Sequence, residues 1–599
     1  MDFSGGVDSV KVTTVASPAN PNGLARNQLA WMTNAETRDG GITMRTGWLD
    51  RTTIADGSKW YQGGGVYKYD EGFPYLVLLI GGVTYKVNLE EPYTVTQLSD
   101  ASTAMPDGEL YSYLCQAEKW MVIQAGDYAT LPLFWDGTTL RRSNGITGII
   151  TPGNPNINEI PAAGPMDYYL GRLWYAGVPT RRHYCAGDIV QGPSGTAPYR
   201  LDAVLKVTEN PLAIGGDGFV VPTEAGNIRA LKHTTNVDST LGVSDLYVFT
   251  RQSVYALQVP VSRALWAQAG DGTGATTNPV QKIVVSNGGA VNDRSIVAVN
   301  QDLFYQCFEP SIRSLAVAIR YQQQWGNKPI SSNEDRLLRF TDRELMKWSS
   351  GIEFNNRLLQ GALPRRVACG IVTPALIPLD FDPISSFGAD HPPIWQGDWE
   401  GLDFLQVFKV DYNGRPRAFG VVASKVDGSI HLWELTDYSR FETDDRRNTM
   451  IFETPAFTWN RETVLKELDA MEVWVDKIYG TVEFKVEYRP DSDPCWYTWW
   501  AWRKCVARNS CEDLVNPVCY PLQEYREGYR TADSLGRPHQ VCQSMMGRPS
   551  SLGYQFQLRF TIKGWCRIRA FVLHANVRSE HPYQNLVCYV PFTEEQLRL

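Results

Sequence analysis

The sequence has no long apolar run, no excess of basic residues and few histidines. Its longest strongly apolar stretch, Tyr75–Ile80, is far short of the about 20 apolar residues that a membrane-spanning helix needs. We therefore expect no membrane segment. Residues 1–5 also lack the basic and apolar regions of a secretory signal, which predicts synthesis in the cytoplasm.

The charge balance is mildly acidic. The chain carries 57 Lys and Arg against 65 Asp and Glu, a net charge of −8. A dedicated nucleic-acid-binding protein normally presents a basic face, so this class is disfavoured. An acidic or neutral wall that DNA slides past is compatible with this charge, because such a wall does not hold phosphates.

Histidine and cysteine spacing does not indicate a metal site. The chain has 7 His and 11 Cys, and no cysteine pair shows the Cys-x-x-Cys spacing of a zinc site. The histidines are His183, His233, His391, His431, His539, His574 and His581. Most cysteines lie near the end of the chain: Cys495, Cys505, Cys511, Cys519, Cys542, Cys566 and Cys588. Buried free thiols are the first interpretation; a disulfide formed after release, or a metal site, stays open.

Recognisable catalytic motifs are missing. The glycine-rich residues 270–274 lack the Lys-Ser/Thr of a phosphate loop. Asp136-Gly137 and Asp427-Gly428 have the turn of a sialidase Asp-box without its other residues, and we interpret both as plain turns. A Ser-His-Asp set or a carboxylate pair brought together by folding stays open. We predict no catalytic, cofactor-binding or metal residues, no cofactor and no enzymatic activity.

Glycine, proline and aromatic residues are abundant, which favours a chain rich in strands and turns. From about residue 60 to 440 an apolar strand repeatedly runs into a tight turn and a second strand. These units start near residues 75, 120, 171, 245, 295, 354 and 419. Spacings of this size are typical of propeller blades with insertions, although a set of β-sandwiches repeats strand and turn as well. Residues 341–348 carry a capping-box pattern and predict a short helix.

Beyond about residue 450 the pattern changes to long strict alternation, which indicates sheets with one buried face. We predict an all-β protein with an N-terminal arm and hairpin (1–55), a β-propeller-like domain (56–445) and a C-terminal antiparallel β-sandwich (446–599). An irregular insertion (490–553) rich in Cys and Trp interrupts the sandwich. Its four tryptophans within residues 496–502 could pack in the core, form an interface or stack on sugars.

Several stretches resemble one family. Residues 34–48 contain an Asn-led hairpin with Gly-Gly-Ile-x-x-Arg-x-Gly. Similar stretches are residues 167–177, 248–255, 286–300, 311–315 and 553–571. Together they resemble the tail hub or nozzle proteins of short-tailed bacteriophages (podoviruses), the families called packaged-DNA stabilisation protein and tail tubular protein B. The Cys-rich insertion and the Trp cluster depart from the simplest members.

The resemblance implies a structural virion protein of the phage tail, made in the host cytoplasm. It implies a homohexameric ring beneath the portal and head-to-tail adaptor proteins, with docking sites for tail fibres or a needle. Packaged DNA would be retained by this ring and would leave non-specifically through its lumen. The alternatives are a carbohydrate-active propeller enzyme, such as a capsule depolymerase, and a non-enzymatic glycan or receptor adhesin.

Overall fold

The chain forms two compact units in the computed structural model. The structure describes residues 5–16, 22–70, 72–146, 158–178, 180–190, 201–208, 219–234, 245–258, 280–321, 328–382, 393–412, 414–435, 449–478, 481–505, 523–530 and 552–579. One unit combines Met1–Arg45 with Ser439–Leu599, and the other is Thr46–Tyr438. The unit boundaries therefore differ from the predicted ones at 55/56 and 445/446, and the middle unit is an insertion within the other.

The first 45 residues do not form an arm of their own. Leu29, Met32, Ile42 and Met44 are buried in one apolar core with residues from the end of the chain. The strands of this segment are β1 (Val12–Val15), β2 (Gly23–Leu24), β3 (Trp31–Thr33), β4 (Ala35–Glu36) and β5 (Ile42–Met44). A 3-10 turn at Arg38–Gly40 joins β4 to β5 within the predicted Asn-led hairpin of residues 34–48.

The middle unit begins with β6 (Trp48–Ala55) and continues as four four-stranded antiparallel sheets, each built from consecutive strands. The first sheet contains β7 (Tyr61–Tyr67), β8 (Tyr75–Ile80), β9 (Val83–Asn88) and β10 (Val95–Gln97). The second contains β11 (Tyr113–Ala117), β12 (Trp120–Gln124), β13 (Leu133–Trp135) and β14 (Leu140–Arg142). The third contains β15 (Met166–Tyr169), β16 (Arg172–Ala176), β17 (His183–Ala186) and β18 (Phe219–Val220). The fourth contains β19 (Ile228–His233), β20 (Leu246–Thr250), β21 (Val254–Gln258) and β22 (Val280–Val285).

A three-stranded sheet and a helical connection follow. The fifth sheet contains β23 (Val297–Val299), β24 (Asp302–Cys307) and β25 (Ser311–Ser314). The helices are α1 (Leu315–Arg320), capped by the Ser314 hydroxyl, and α2 (Asp335–Leu338). The helix predicted within residues 341–348 is a single 3-10 turn, Leu345–Trp348, and it lacks a side-chain cap. Other 3-10 turns are Leu201–Leu205, Thr223–Ala225 and Ile330–Glu334.

The last sheet of the middle unit is large and includes the N-terminal strand β6. Its strands are β26 (Gly351–Glu353), β27 (Arg357–Ala362), β28 (Arg365–Val367), β29 (Gly370–Asp380), β30 (Ile394–Trp395), β31 (Trp399–Tyr412), β32 (Arg415–Ala423) and β33 (Ile430–Leu435). The strand β6 pairs antiparallel with β33, with Trp48 opposite Leu435 and Ala55 opposite Ile430. The two ends of the middle unit are thus joined by one strand pair.

The first strands of the sheets lie side by side around a ring. The strand β11 lies between β7 and β15, β15 lies beside β19, and β26 lies between β23 and β31. The strand β31 lies beside β7, which brings the last sheet back to the first. Between the fourth and fifth sheets, the apolar side chains of Phe249 and Tyr305 pack together. This arrangement is a β-propeller-like fold, as the strand repeat predicts.

The second strands carry the packing between neighbouring sheets. All five residues of β12 are buried, and so are five of the six residues of β8. Trp135 fills the space between the first two sheets, and Trp174 fills the space between the third and fourth. Tight turns at Gly81 and Gly82, both with positive φ (56° and 72°), return the chain into β9.

The remaining strands complete an antiparallel β-sandwich with the N-terminal segment. They are β34 (Thr449–Glu453), β35 (Leu465–Ile478), β36 (Thr481–Pro490), β37 (Tyr497–Cys505), β38 (Gln523–Arg530), β39 (Leu552–Gly553), β40 (Phe556–Lys563) and β41 (Cys566–Ser579). One sheet has the order β3-β34-β40-β36-β37, and the other has β38-β35-β41-β5-β4 with β39 beside β35. Phe452 and Phe560 stack at 4.6 Å in the core. The predicted sandwich forms where the sequence alternates.

Part of the insertion predicted as irregular consists of strands. Within residues 490–553, β37 pairs with β36 and β38 pairs with β35, so each extends one sheet. In β37, residues 499–502 are Trp-Trp-Ala-Trp, so this strand lacks the strict alternation that marks the other strands of the sandwich. Residues 506–522 and 531–551 lie outside the described residues.

Candidate functional site

The ring of the middle unit has two distinct faces. Trp60, Tyr111 and Trp348 each precede a first strand, and their rings meet at centroid distances of 6.0 Å (Trp60–Trp348) and 5.3 Å (Tyr111–Trp348). Phe73 follows β7 and Tyr412 ends β31, and these two rings lie 5.5 Å apart. The first strands therefore run in one direction, from a start face to an end face.

Arg294 crosses between sheets at the start face. It lies just before β23, and its Nη2 donates to the carbonyl oxygens of Gln62 (2.9 Å) and Ser112 (2.5 Å). Its guanidinium lies 4.0 Å from the centroid of the Tyr111 ring. The Tyr111 hydroxyl donates to Asp293 Oδ1 at 2.5 Å. Side chains from different sheets thus fill the axis of the ring at this face.

Three consecutive glycines in β7 make this packing feasible. A Cβ on Gly63 would lie 2.1 Å from Arg294 Nη2, and one on Gly64 would also collide with its neighbours. Gln406 of β31 uses the same space: its Oε1 accepts from the Tyr61 hydroxyl (2.8 Å) and from the Gly64 amide (3.1 Å). The glycines let the last sheet and Arg294 approach the first sheet closely.

Behind Arg294, the first strands bring titratable side chains together. Tyr113 and Cys115 lie on β11, Asp167 on β15, and Lys232 and His233 on β19. His233 Nδ1 lies 2.8 Å from Asp167 Oδ2. Tyr113, Cys115, Lys232 and His233 are half-buried. We call these five residues the axial cluster.

The pKa values of the axial cluster argue against nucleophilic chemistry there. Burial raises the pKa of the Cys115 thiol to about 12 and raises that of Tyr113 well above its usual range. Burial lowers the pKa of Lys232, but the charges of Asp167, Asp293 and Cys115 together outweigh it and the net shift is upward. The hydrogen bond to Asp167 raises the pKa of His233. At neutral pH the thiol and phenol stay protonated, so the cluster can hold polar groups but offers no activated nucleophile.

A buried carboxylate joins the strands that close the ring. Glu434 of β33, 8% exposed, accepts from Arg51 of β6 (Nη2, 2.6 Å) and from Arg417 of β32 (Nε, 2.7 Å). The Tyr93 hydroxyl of the first sheet also donates to it at 3.3 Å. Burial raises the pKa of Glu434, but the hydrogen bonds and charges of Arg417 and Arg51 outweigh it and hold the pKa below its usual range. Glu434 therefore joins β6, β32 and the first sheet by hydrogen bonds at the place where the ring closes.

A Ser-His-Asp set, which the sequence left open, occurs beside that closure. Ser429 Oγ lies 2.8 Å from His431 Nε2, and His431 Nδ1 lies 3.1 Å from Asp50 Oδ2. However, the Ser429 hydroxyl donates to Asp427 Oδ1 at 2.6 Å. Because a hydroxyl has one proton to give, that proton is directed to Asp427 and away from the histidine. These three residues have the identities of a catalytic triad, but the serine hydroxyl does not donate its proton to the histidine as it does in a triad.

The tryptophan cluster is divided between core and surface. Trp499 is buried with an edge-on contact to Tyr488 (5.8 Å). Trp496 is half-buried, and the guanidiniums of Arg489 and Arg559 lie 4.5 and 4.1 Å from its centroid. The side chains of the two other tryptophans lie outside the described ones. For the two described rings, core packing and cation–π contacts leave little room for a sugar.

The remaining site predictions have simple outcomes. The described cysteines are free thiols: Cys115, Cys185, Cys307, Cys369, Cys495 and Cys566. Asp136 accepts from the Thr138 and Thr139 amides in a plain turn, whereas residues 270–274 fall outside the described ranges. Among the residues described, no group of His, Cys, Asp and Glu could hold a metal ion. No helix in the described ranges is long and apolar enough to cross a membrane.

The sequence did not indicate that the residues of the axial cluster come together, because β11, β15 and β19 are short strands of mixed polarity. A usable signal was present: Lys232 and His233 are adjacent polar residues at the end of a largely apolar strand.

Comparison with known proteins gives no family. No protein-family model matches the sequence, and no curated protein matches it significantly. One similar solved structure is that of BBS1N in complex with ARL6DN, with 8% identity, 66% of this chain and 99% of that chain covered and a TM-score of 0.35. Another is YCF48 bound to D1 peptide, with 10% identity, 66% and 97% coverage and a TM-score of 0.33. At these TM-scores the likeness carries no argument, and the fold assignment rests on the sheet order described above.

Proposed function

We propose that this chain is a structural virion protein that forms the hexameric hub or nozzle of a short-tailed phage tail. In this role it retains packaged DNA, conducts it at ejection, and acts without catalysis. Three parts of this proposal come from the sequence resemblance: the location in the phage tail, the six copies and the neighbouring proteins. These neighbours are portal and adaptor proteins on one side, and tail fibres or a needle on the other.

The observation that carries the proposal furthest is the closure of the middle unit. Its first and last strands, β6 and β33, are paired, and the chain passes between the units twice. A closed ring of sheets exposes few sheet edges, and two covalent connections resist pulling better than one. Such a unit suits a wall that must withstand the pressure of packaged DNA.

Side chains occupy the centre of the propeller-like ring, which supports a DNA conduit formed between several chains. Arg294, Tyr111 and Asp293 occupy the centre of the start face, so a DNA duplex has no path along the axis of one chain. A ring of copies would leave the lumen between them. The net charge of −8 fits a lumen that phosphates slide past, since a basic wall would hold them.

The family hairpin also has a physical role that supports the proposal. Buried Arg45 donates from Nε to Asn34 Oδ1 at 2.7 Å, and its amide donates to the Asn34 carbonyl at 3.1 Å. Asn34 and Arg45 thus fix the hairpin near the point where the chain leaves the sandwich. Substitution of either residue removes a buried side-chain hydrogen bond of this hairpin.

Native mass spectrometry with negative-stain imaging tests the proposal. We expect rings near six times 67.3 kDa, formed by the purified chain or on an added portal–adaptor complex. A chain that stays monomeric in both conditions would overturn it. Sugar release from a polysaccharide panel, or binding on a glycan array, would instead favour the depolymerase or the adhesin.

A further inference from the structure

A tyrosine with a strained backbone lies at the start face of the middle unit. The first strands run from the start face to the end face, so the connection between β12 and β13 lies at the start face. Tyr128 belongs to this connection and has a φ of 62°, a left-handed conformation that residues other than glycine rarely adopt. Backbone strain of this kind is concentrated at functional sites.

Two glycines of the third sheet hold the Tyr128 ring in place. Gly164 precedes β15 and Gly177 follows β16, and the Gly164 amide donates to the Ala176 carbonyl at 2.7 Å. A Cβ on Gly164 would lie 2.4 Å from the Tyr128 hydroxyl oxygen, and one on Gly177 would lie 2.4 Å from Tyr128 Cε1. The ring therefore occupies space that any larger side chain would fill, and its hydroxyl has a fixed position.

Two arginines of neighbouring sheets lie beside this ring. Arg181, in the connection between β16 and β17, places its Cζ 4.5 Å from the centroid of the Tyr128 ring. Arg229 lies where the register of β19 against β20 shifts, between Ile228 and Ala230, and such bulges re-aim side chains. The Ile228 amide donates to the Arg181 carbonyl at 3.0 Å. The two arginines therefore lie on adjoining segments of the chain.

The electrostatic environment of the Tyr128 hydroxyl is positive. Burial raises its pKa, and the Tyr113 hydroxyl and the charges of Arg181 and Arg229 oppose that rise. The negative charge of Asp293 acts in the other direction, and its effect is smaller than that of either arginine. An anion beside this hydroxyl is therefore stabilised.

The arginines are available to a ligand, whereas the nearest carboxylates are engaged. Within the described ranges, neither Arg181 nor Arg229 has an ion-pair partner or an acceptor for its side-chain N–H groups. Asp127 accepts from two backbone amides of its own turn at 3.0 and 2.9 Å, and Asp293 accepts from a tyrosine hydroxyl at 2.5 Å. Glu224, on the next connection, is exposed to solvent. The unused hydrogen-bonding groups at this place are thus cationic donors.

We propose that Tyr128, Arg181 and Arg229 form a binding site for a small oxyanion at the start face. The two guanidiniums supply charged N–H donors, which bind the oxygens of a phosphate or carboxylate group strongly. The Tyr128 hydroxyl adds a neutral donor, because no hydrogen bond among the described residues uses its proton. Two cations match a doubly charged oxyanion such as phosphate. The site belongs to a single chain and does not depend on the proposed hexamer.

Isothermal titration calorimetry of the full chain with inorganic phosphate, in a chloride buffer of constant ionic strength, tests the site. We expect saturable binding of one phosphate per chain. Arg181→Gln and Arg229→Gln should each weaken binding at least about tenfold, because each removes a charge-assisted hydrogen bond. Tyr128→Phe keeps the ring beside Arg181 and should weaken binding about threefold to tenfold.

Arg339→Gln is the matched control, because it removes the same charge from an exposed arginine on the connection between β25 and β26. We expect it to bind phosphate as the wild type does. Circular dichroism and a thermal melt in chloride verify that each variant is folded. Arg181 is exposed, so Arg181→Gln still tests the site if Arg229→Gln does not fold.

Thymidine monophosphate distinguishes a free phosphate from one carried by a nucleotide. Tighter binding than that of inorganic phosphate assigns the site to a nucleotide, and equal or weaker binding assigns it to the free ion; both results support the oxyanion site. Absence of saturable binding of either compound overturns the inference. Binding by Arg181→Gln and Arg229→Gln that is no weaker than binding by Arg339→Gln overturns it as well. None of these results bears on whether the chain forms a hexamer, which the native mass spectra decide.

Discussion

Replacing Glu434 by glutamine tests how the propeller-like ring is closed. The carboxylate accepts from Arg51 at 2.6 Å and from Arg417 at 2.7 Å, and it is 8% exposed. Removing one partner of a buried charge pair costs about 3–5 kcal/mol. The two arginine side chains keep 16% and 20% of their surface, so water compensates part of this loss. We expect Glu434→Gln to lower the free energy of unfolding of the middle unit by about 2–3 kcal/mol.

The loss should depend on pH with a defined sign. The folded-state pKa of Glu434 is lower than its usual value because Arg417 and Arg51 outweigh the effect of burial. Its stabilisation is therefore fully present above the unfolded-state pKa of about 4.3 and is lost as the pH falls through the folded-state pKa. Glutamine does not titrate. The stability difference between wild type and Glu434→Gln should be constant near neutral pH and should narrow in acid.

Denaturant titration followed by hydrogen-exchange mass spectrometry measures the effect within the middle unit, because peptides from β6 and β33 report the closure directly. The control is Glu109→Gln, which removes the same charge from a pair with Arg366 in which both side chains are more than half exposed (52% and 55%). That control should cost less than about 1 kcal/mol. A loss for Glu434→Gln that equals the control, or a difference that does not narrow in acid, would refute the reasoning.

Three further predictions concern the axis and the reactive side chains. Gly63→Ala should cost about 1–3 kcal/mol in a thermal or urea melt, because its Cβ would meet Arg294 Nη2 at 2.1 Å. Peptide mapping after iodoacetamide treatment at pH 8 should find exposed Cys495 modified and Cys115 intact, since burial raises the pKa of Cys115 to about 12; labelled Cys115 would contradict this. A fluorophosphonate probe for activated serines should leave Ser429 unlabelled, because its hydroxyl donates to Asp427.

The strand repeat was predictable because the second strand of each of the first four sheets is buried on both faces. The predicted starts at residues 75, 120, 171 and 245 fall at or next to the first residues of β8, β12, β16 and β20. A strand between two neighbouring strands and two neighbouring sheets needs apolar residues throughout, and such a run is visible in sequence. The strands of the sandwich were predictable from alternation, because each has one buried face and one face exposed to solvent.

The first strands were not predictable in the same way. The strand β7 contains three glycines because Arg294 and Gln406 come close to it, and both partners are more than 200 residues away. The axial cluster likewise combines residues of three sheets, and no local spacing relates them. Only the order of the sheets around the ring brings these residues together.

The sequence by itself determined the all-β class, the turn positions and the buried strands, because hydrophobic periodicity and glycine conformation act within a few residues. The tertiary structure alone decided that residues 1–45 join the C-terminal sandwich and that β6 closes the ring against β33. It also decided which cations meet Asp167 and Glu434. These are contacts between distant parts of the chain. They depend on how whole sheets pack, and many local sequences satisfy the same strand pattern while forming different long-range pairs.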